Sequence, residues 1–255
     1  MNPFPHSTAE AELELALVEI EQQLHFCDKS REACSSQEAT AFLLKGAIAS
    51  SRANRVGANS ADKERYNRAA LNHFLRVLEL DPDDVDALEY VAHHQRVLGQ
   101  VDLAIASYER LANITGGSAR DDRLIAARAN RHIAELYEYR YDENGVAQRL
   151  EDAREHLDEA LDRLPHSAKG TIEEGRIQEV YGRVVYKLGF NPMPLQRWGQ
   201  AQALYNNIRQ VKGVDREEAE AGYHRVKGAI DAFTKKQDAK RDAGRPPNPT
   251  PPHTP

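Results

Sequence analysis

Apolar residues recur at the spacing of an α-helix along almost the whole chain, and the residues that break helices fall between these patterns. Glycine is sparse, with 15 copies in 255 residues, and most of the 12 prolines lie at the ends or between patterns. A proline inside a helix removes a hydrogen bond and clashes with the preceding turn, so this distribution favours an all-α fold. After an N-terminal helix, the patterns run over about residues 37–56, 62–80, 84–98, 101–114, 120–141, 147–164, 169–189, 194–212 and 215–240. The sequence therefore predicts about ten helices joined by short links.

The two ends of the chain differ in composition from its body. Residues 1–6 form a short lead with two prolines, which we expect to be flexible. Residues 244–255 read GRPPNPTPPHTP, a composition typical of a disordered or polyproline segment. Prolines three residues apart in this tail, such as Pro246 and Pro249, could also dock in an aromatic groove.

A helix is predicted next to each end. Residues 7–36 are expected to form an amphipathic N-terminal helix and a loop, and residues 213–243 a C-terminal capping helix. The apolar stripe of the first helix is Leu13, Leu17, Ile20 and Leu24. The stripe of the last helix is Ala219, Tyr223, Val226, Ile230 and Phe233. One apolar face on each helix suits a cap on a helical stack.

Charge and cysteine content exclude several classes of protein. The chain carries 34 Lys plus Arg and 40 Asp plus Glu, a net charge of -6, whereas nucleic-acid binding needs clustered basic residues. No run approaches the ~18 apolar residues of a bilayer span, and the opening residues lack the regions of a secretory signal. The two cysteines, Cys27 and Cys34, form no disulfide framework. We therefore expect a soluble, cytoplasmic protein with no nucleic-acid or membrane partner.

Residues 86–114 place small and large residues at the spacings of a helical hairpin and read DALEYVAHHQRVLGQVDLAIASYERLANI. Ala92 and Ala104 would let two antiparallel helices approach closely, Gly99 would permit the turn, and Tyr108 would fill the gap beside the next hairpin. This segment resembles a tetratricopeptide repeat. The resemblance covers residues 37–212 in about four hairpins, with its clear matches at 62–114. It implies a right-handed α-solenoid of tetratricopeptide-like hairpins between N- and C-terminal capping helices.

The spacing of the later hairpins departs from the 34-residue period of that family. The next first-helix match after Ala92 is Ala134, a shift of 42 residues. The third and fourth hairpins place 19 residues between their small-residue positions, where the second places 12. The first hairpin shows no clear small-residue anchor between Thr40 and Ile48. Longer helices or an inserted turn would explain the extension.

Catalytic and metal-binding patterns are absent from the sequence. No nucleophile elbow or glycine-rich phosphate loop occurs, so we expect no enzymatic activity and no cofactor. His25, Cys27 and Cys34 match no zinc spacing, so no metal is expected. His93 and His94 point about 100° apart on a helix and could not chelate one ion. One is expected to line the groove and the other to be partly buried.

The resemblance places the first helix of each hairpin on a concave groove, which in such arrays binds a peptide or a helix of a partner protein. The predicted groove residues are Glu89, Tyr90, His93, Arg96, Arg128, Arg131, Glu135, Arg176, Glu179, Arg183 and Tyr186. Five arginines in this set would suit an acidic segment. The alternative is an ordinary solvated set of faces with intrahelical ion pairs. Glu89 and His93 stand where the carboxylate clamp of some family members would need Lys or Asn, which argues against chaperone-tail recognition.

Two functions follow from these patterns. The first is a non-enzymatic adaptor that binds a partner of unknown identity in the groove. The second is a structural subunit, or a homo-oligomer, that assembles through its terminal helices.

Overall fold

A computed structural model describes residues 6–25, 31–57, 60–117, 120–190, 192–211, 213 and 215–243. Within these ranges the chain is all-helical. The ten α-helices are α1 (His6–His25), α2 (Arg31–Arg55), α3 (Ala61–Leu80), α4 (Val85–Val97), α5 (Val101–Ile114), α6 (Arg120–Asn144), α7 (Gln148–Arg163), α8 (Ile172–Lys187), α9 (Met193–Arg209) and α10 (Arg216–Ala243). A 3₁₀ turn, His166–Ala168, precedes α8. The predicted lead and proline-rich tail lie outside the described residues, except for His6, which begins α1.

Successive helices pack as four hairpins, α2–α3, α4–α5, α6–α7 and α8–α9, with α1 against α2 and α10 against α9. Each hairpin returns the chain to the same side, so α4, α6, α8 and α10 run parallel as the inner helices. The helix α8 contacts both α6 and α10 across the hairpins, and the outer helices α5, α7 and α9 approach one another less closely. The inner helices therefore form the concave face of an α-solenoid.

Local sequence sets the helix ends. The Asp84 carboxylate accepts a hydrogen bond from the Ala87 amide at 2.7 Å and caps α4. The second and fourth hairpins turn at Gly99 and Gly189, whose φ angles of 72° and 80° favour glycine. Their amides donate to carbonyls three residues back in the same way, which confirms that the two turns are equivalent.

The small-residue spacing predicted for the second hairpin is confirmed. Ala92 and Ala104 are fully buried, and Tyr108 packs in the same cluster with Ile133 of α6. The third hairpin repeats the arrangement, with Ala134 and the other apolar residues of its cluster buried between α6, α7 and α8. The hydrophobic core is therefore a series of clusters between neighbouring hairpins, as expected for a repeat protein.

The expectation that the first hairpin lacks a small-residue anchor is wrong. Gly46 of α2 lies under the fully buried ring of Phe74, and a Cβ there would meet that ring at 2.6 Å. Glycine beneath a large aromatic ring recurs in the fourth hairpin, where Gly175 and Gly182 of α8 lie against Tyr205 and Trp198 of α9. These hairpins close through a glycine–aromatic contact.

The boundary between the predicted N-terminal segment, 7–36, and the array also shifts. Helix α2 begins at Arg31 rather than 37, so Cys34 lies in the helix and not in a loop. No proline or glycine occurs between Arg31 and Gly46 to stop the helix from starting early. Leu13, Leu17 and the rest of their stripe are half-buried on α1, which packs on α2.

Candidate binding surface

All eleven predicted groove residues lie on the inner helices. Glu89, Tyr90, His93 and Arg96 are on α4, Arg128, Arg131 and Glu135 on α6, and Arg176, Glu179, Arg183 and Tyr186 on α8. The structure thus brings them to one side of the array, as predicted. Their contacts divide them into residues that join neighbouring helices and residues that remain open.

Arg131 is the most buried of the predicted arginines. Its side chain is 6% exposed, and Nε donates to Glu173 Oε1 at 2.5 Å, with Glu173 itself 3% exposed. A second bond runs from Nη1 to Glu135 Oε1 at 2.8 Å. Burial would raise the pKa of Glu173, but the charges of Arg131 and Arg176 outweigh it and lower the pKa. Arg131 therefore joins α6 to α8 and is not available to a ligand.

Arg183 and Lys187 of α8 make the complementary bridge to α6. The Arg183 guanidinium donates to both oxygens of Glu138, at 3.0–3.2 Å, and Lys187 Nζ lies 3.0 Å from the same carboxylate. Lys187 also bonds Asp142 at 2.7 Å. These groups fix the C-terminal ends of α6 and α8 side by side.

The same scheme joins α8 to α10. Arg176 Nε donates to Glu218 Oε1 at 2.6 Å, and Arg225 Nε donates to Glu179 Oε1 at 2.8 Å. Glu179 also accepts a 2.8 Å bond from the buried hydroxyl of Tyr205. The α6–α8 and α8–α10 junctions thus each carry two hydrogen-bonded arginine–glutamate pairs, one with its basic residue on each of the two helices.

These inter-helix pairs change the meaning of the arginine set. The face was expected to be basic, but Arg131, Arg176 and Arg183 are matched by carboxylates from neighbouring inner helices. The alternative, in which the arginines pair only within their own helices, does not account for these contacts between helices. The partners recur at a sequence separation of 42 for Arg131–Glu173 and Arg176–Glu218, and of 45 or 46 for Glu138–Arg183 and Glu179–Arg225. Opposite charges 42 to 46 residues apart were the sequence signal that could have revealed them.

The open part of the face centres on α4 and the start of α6. Tyr90 is 43% exposed and stacks on Phe74 with 4.5 Å between ring centroids. Arg96 and Arg128 reach carboxylates only at 3.9 and 3.8 Å, and the Nε atom of each is buried without a hydrogen-bond partner. The two side chains are 36% and 41% exposed as a whole, so the outer nitrogens of their guanidinium groups can donate to a carboxylate or carbonyl oxygen of a ligand.

An aromatic cleft, not predicted from the sequence, lies at the other end of the face. It is lined by Tyr139 of α6, Tyr186 of α8, Trp198 of α9 and Phe233 of α10, and its volume is about 660 Å³. Tyr139 and Tyr186 are 51% and 36% exposed, whereas Trp198 and Phe233 form a buried floor with centroids 6.1 Å apart. The cleft has the size and apolar lining of a ligand site.

Trp198 reaches the cleft because Gly182 has no side chain. The indole of this outer-helix residue lies against the Gly182 backbone, where any Cβ would meet it. The indole Nε1 is buried with no hydrogen-bond partner, an uncompensated donor at the base of the cleft.

The two adjacent histidines have separate environments, as predicted. His93 is half-buried near the open part of the face, whereas His94 is 2% exposed. The His94 ring joins three helices, with Nε2 2.6 Å from Ser50 Oγ of α2 and Nδ1 3.0 Å from Asn67 Oδ1 of α3. Burial lowers the pKa of His94 to about 4, assisted by the charge of His93.

The His94 environment predicts a loss of stability in acid. The unfolded histidine binds a proton near pH 6.5 and the folded one near 4, so its contribution is complete above pH 6.5 and is lost as the pH falls through that window. At ~1.4 kcal/mol per pKa unit, the free energy of unfolding should fall by a few kcal/mol. Urea denaturation at several pH values checks this, and the H94Q variant should lose less stability in acid. Equal losses in both proteins would contradict the assignment.

The structure bears on two further expectations from the sequence. Among the described residues, no cluster of His, Cys, Asp and Glu is placed to hold a metal ion, but the side chains of His25, Cys27 and Cys34 lie outside them. No helix in the described ranges is long and apolar enough to span a membrane.

The fold and its inner face define a class of architecture, an α-solenoid of helical hairpins. No family model and no curated protein matches the chain. Among solved structures, BtubC (BKLC) from P. vanneervenii is similar over 98% of this chain and 97% of that chain, with a TM-score of 0.55 and 16% identity. The MamA protein matches 67% of this chain and 97% of its own, with a TM-score of 0.24 and 13% identity. The first likeness shows the fold alone, and the second is too distant to support an argument.

Proposed function

We propose that this chain is a non-enzymatic, tetratricopeptide-like adaptor whose concave face binds a segment of a partner protein. The observation that carries the proposal is the aromatic cleft, since two half-exposed tyrosines over a buried Trp–Phe floor leave an apolar site beside the ion pairs that join α6, α8 and α10. Aromatic anchors in such pockets contribute a large share of binding energy at interfaces.

The open groups also restrict the chemistry of the partner. The paired residues Arg131, Arg176 and Arg183 would have to lose a carboxylate before binding an acidic segment, which costs more than it gains in a desolvated site. Arg96 and Arg128 remain for one carboxylate or a few carbonyl oxygens. We therefore expect an apolar segment with few charges, in place of the strongly acidic segment that the arginine count suggested.

The experiment compares the concave and convex faces directly. A photo-crosslinking amino acid is placed at Tyr90 or Tyr139 on the inner helices, or at Leu103, which is 55% exposed on the outer helix α5. Crosslinks to one protein from the two inner positions, with none from Leu103, are the expected result. Crosslinks from all three positions would contradict binding on the concave face.

The crosslinked partner is then purified and titrated against variants. Y139A and R128A are expected to weaken binding about tenfold each, the usual cost of losing one good interface contact. R65A on the outer helix α3 is the matched control, because Arg65 is 68% exposed and pairs with Asp62 of its own helix. Binding that survives both inner substitutions would overturn the proposal.

A second function, self-assembly through the terminal helices, is favoured by one observation. The predicted stripe of α1 is turned toward α2, yet Leu15 and Val18 on another side of α1 are 71% and 51% exposed. Light scattering of the full chain and of an L15K/V18K variant tests this role. A dimer that dissociates in the variant would support it, and a monomer in both cases would exclude it.

A further inference from the structure

We propose that the proline-rich segment 244–255 folds back along α10 and occupies the aromatic cleft of its own chain. The segment would act as a built-in competitor for the partner, and that regulatory consequence rests on the proposed function. The docking itself does not depend on any partner.

The cleft favours an occupant with little charge. Its basic and acidic rim groups are already engaged: Lys187 binds Glu138 and Asp142, and Arg183 binds Glu138. Lys236 donates to the Tyr186 hydroxyl at 3.0 Å and lies over the same ring. A strongly charged ligand would have to break these pairs, whereas an apolar one could cover the rings and leave the pairs intact.

The tail has the complementary chemistry. Half of residues 244–255 are proline, and Arg245 is the one Lys, Arg, Asp or Glu among them. A polyproline II helix has three residues per turn, so Pro246, Pro249, Pro252 and Pro255 would share one face. Proline-rich segments dock in aromatic-lined grooves because their extended conformation is preformed and little entropy is lost.

The cleft lies within reach of the tail because α10 forms one of its walls. Phe233 and Lys236 line the cleft, and the helix continues for seven residues, to Ala243, before the tail begins. At ~1.5 Å per helical residue the tail starts ~10 Å beyond Lys236. A polyproline segment advances ~3.1 Å per residue, so about four residues after a turn at Gly244 would return to the cleft.

Trp198 provides a direct probe, because it is the single tryptophan of the chain and lies in the cleft floor. Tryptophan emission and acrylamide quenching are measured for the full chain and for two full-length variants. P249S/P252S removes two prolines of the proposed docking face, and P247S/P251S removes two prolines outside it. We expect a shift to longer wavelength and stronger quenching for P249S/P252S, and no change for the control.

A second measurement tests the contact in trans. A peptide with the sequence of residues 244–255 is titrated into the full-length P249S/P252S variant and into the same variant carrying Y186S. Saturable recovery of the wild-type emission in the first protein, and its loss in the second, is the expected result. A short tether supplies an effective concentration of about 1 mM, so the absence of any saturation up to about 1 mM would overturn the proposal.

The remaining outcomes separate the other possible occupants. Identical emission from all three full-length proteins would show that the tail does not fill the cleft and would leave it to a partner. A tail-dependent signal that disappears on dilution would assign the occupant to the tail of a second copy and would overturn docking within one chain. Neither readout requires a partner, so failure of the adaptor function leaves the test intact.

Discussion

The R131A variant is expected to lose about 3 kcal/mol of unfolding free energy, because the buried Glu173 would keep only the 3.0 Å pair with Arg176 as a close counter-ion. Both side chains are nearly inaccessible, and the same guanidinium holds Glu135. Urea denaturation of the wild-type and variant proteins measures the difference.

The R131M/E173L double variant is the decisive comparison, since replacing both partners with apolar residues removes the buried charge together with its counter-ion. We expect it to recover most of the stability lost in R131A. R68A is the surface control: Arg68 and Glu64 are each 60% exposed, and their pair should contribute less than about 1 kcal/mol. A similarly small loss for R131A would show that the α6–α8 pair is not structural.

The Y205A variant is expected to lose about 3–5 kcal/mol of unfolding free energy, because the Tyr205 side chain packs against both neighbouring helices. The ring is fully buried between two glycines, Gly175 of α8 and Gly222 of α10, and a Cβ at either would meet it at 2.7 Å. Its hydroxyl also donates to Glu179, the partner of Arg225. One side chain therefore holds three helices together at the C-terminal end of the array.

The packing of this ring can be tested by a second substitution, G175A, whose effect on stability should have opposite signs in the wild-type protein and in Y205A. In the wild-type protein, G175A should be destabilising, because the new Cβ collides with Tyr205. In the Y205A background, the same change should stabilise by up to about 1 kcal/mol, since alanine favours a helix over glycine. Denaturation of the four proteins gives the coupling energy. The same sign in both backgrounds would contradict the packing of Tyr205 against Gly175.

Much of the fold could be predicted because its determinants are local. The small residues Ala92 and Ala104 and the turn glycines Gly99 and Gly189 act within one hairpin, so their spacing is visible along the chain. The Gly46–Phe74 contact was missed because its partners are 28 residues apart and glycine rather than alanine supplies the space. Only the packing of α2 on α3 shows that the Phe74 ring occupies the space above Gly46.

The candidate site was less accessible to sequence reasoning. Periodicity placed eleven residues on the inner helices, but it could not show which arginines were already paired, since that depends on how α6, α8 and α10 are aligned. The aromatic cleft brings Tyr139, Tyr186, Trp198 and Phe233 together from four helices. No spacing rule relates such positions, because Trp198 belongs to an outer helix and reaches the face through the gap at Gly182.

The parallel alignment of the inner helices gives the concave face two unlike edges. The free amides of α4, α6 and α8 lie along one edge and their free carbonyls along the other, where they confer opposite partial charges worth ~0.3–1 kcal/mol per helix end. A segment lying along the helix direction would therefore meet a different potential at each of its termini. The backbone charges of the array alone would therefore favour one of the two directions in which a chain could bind.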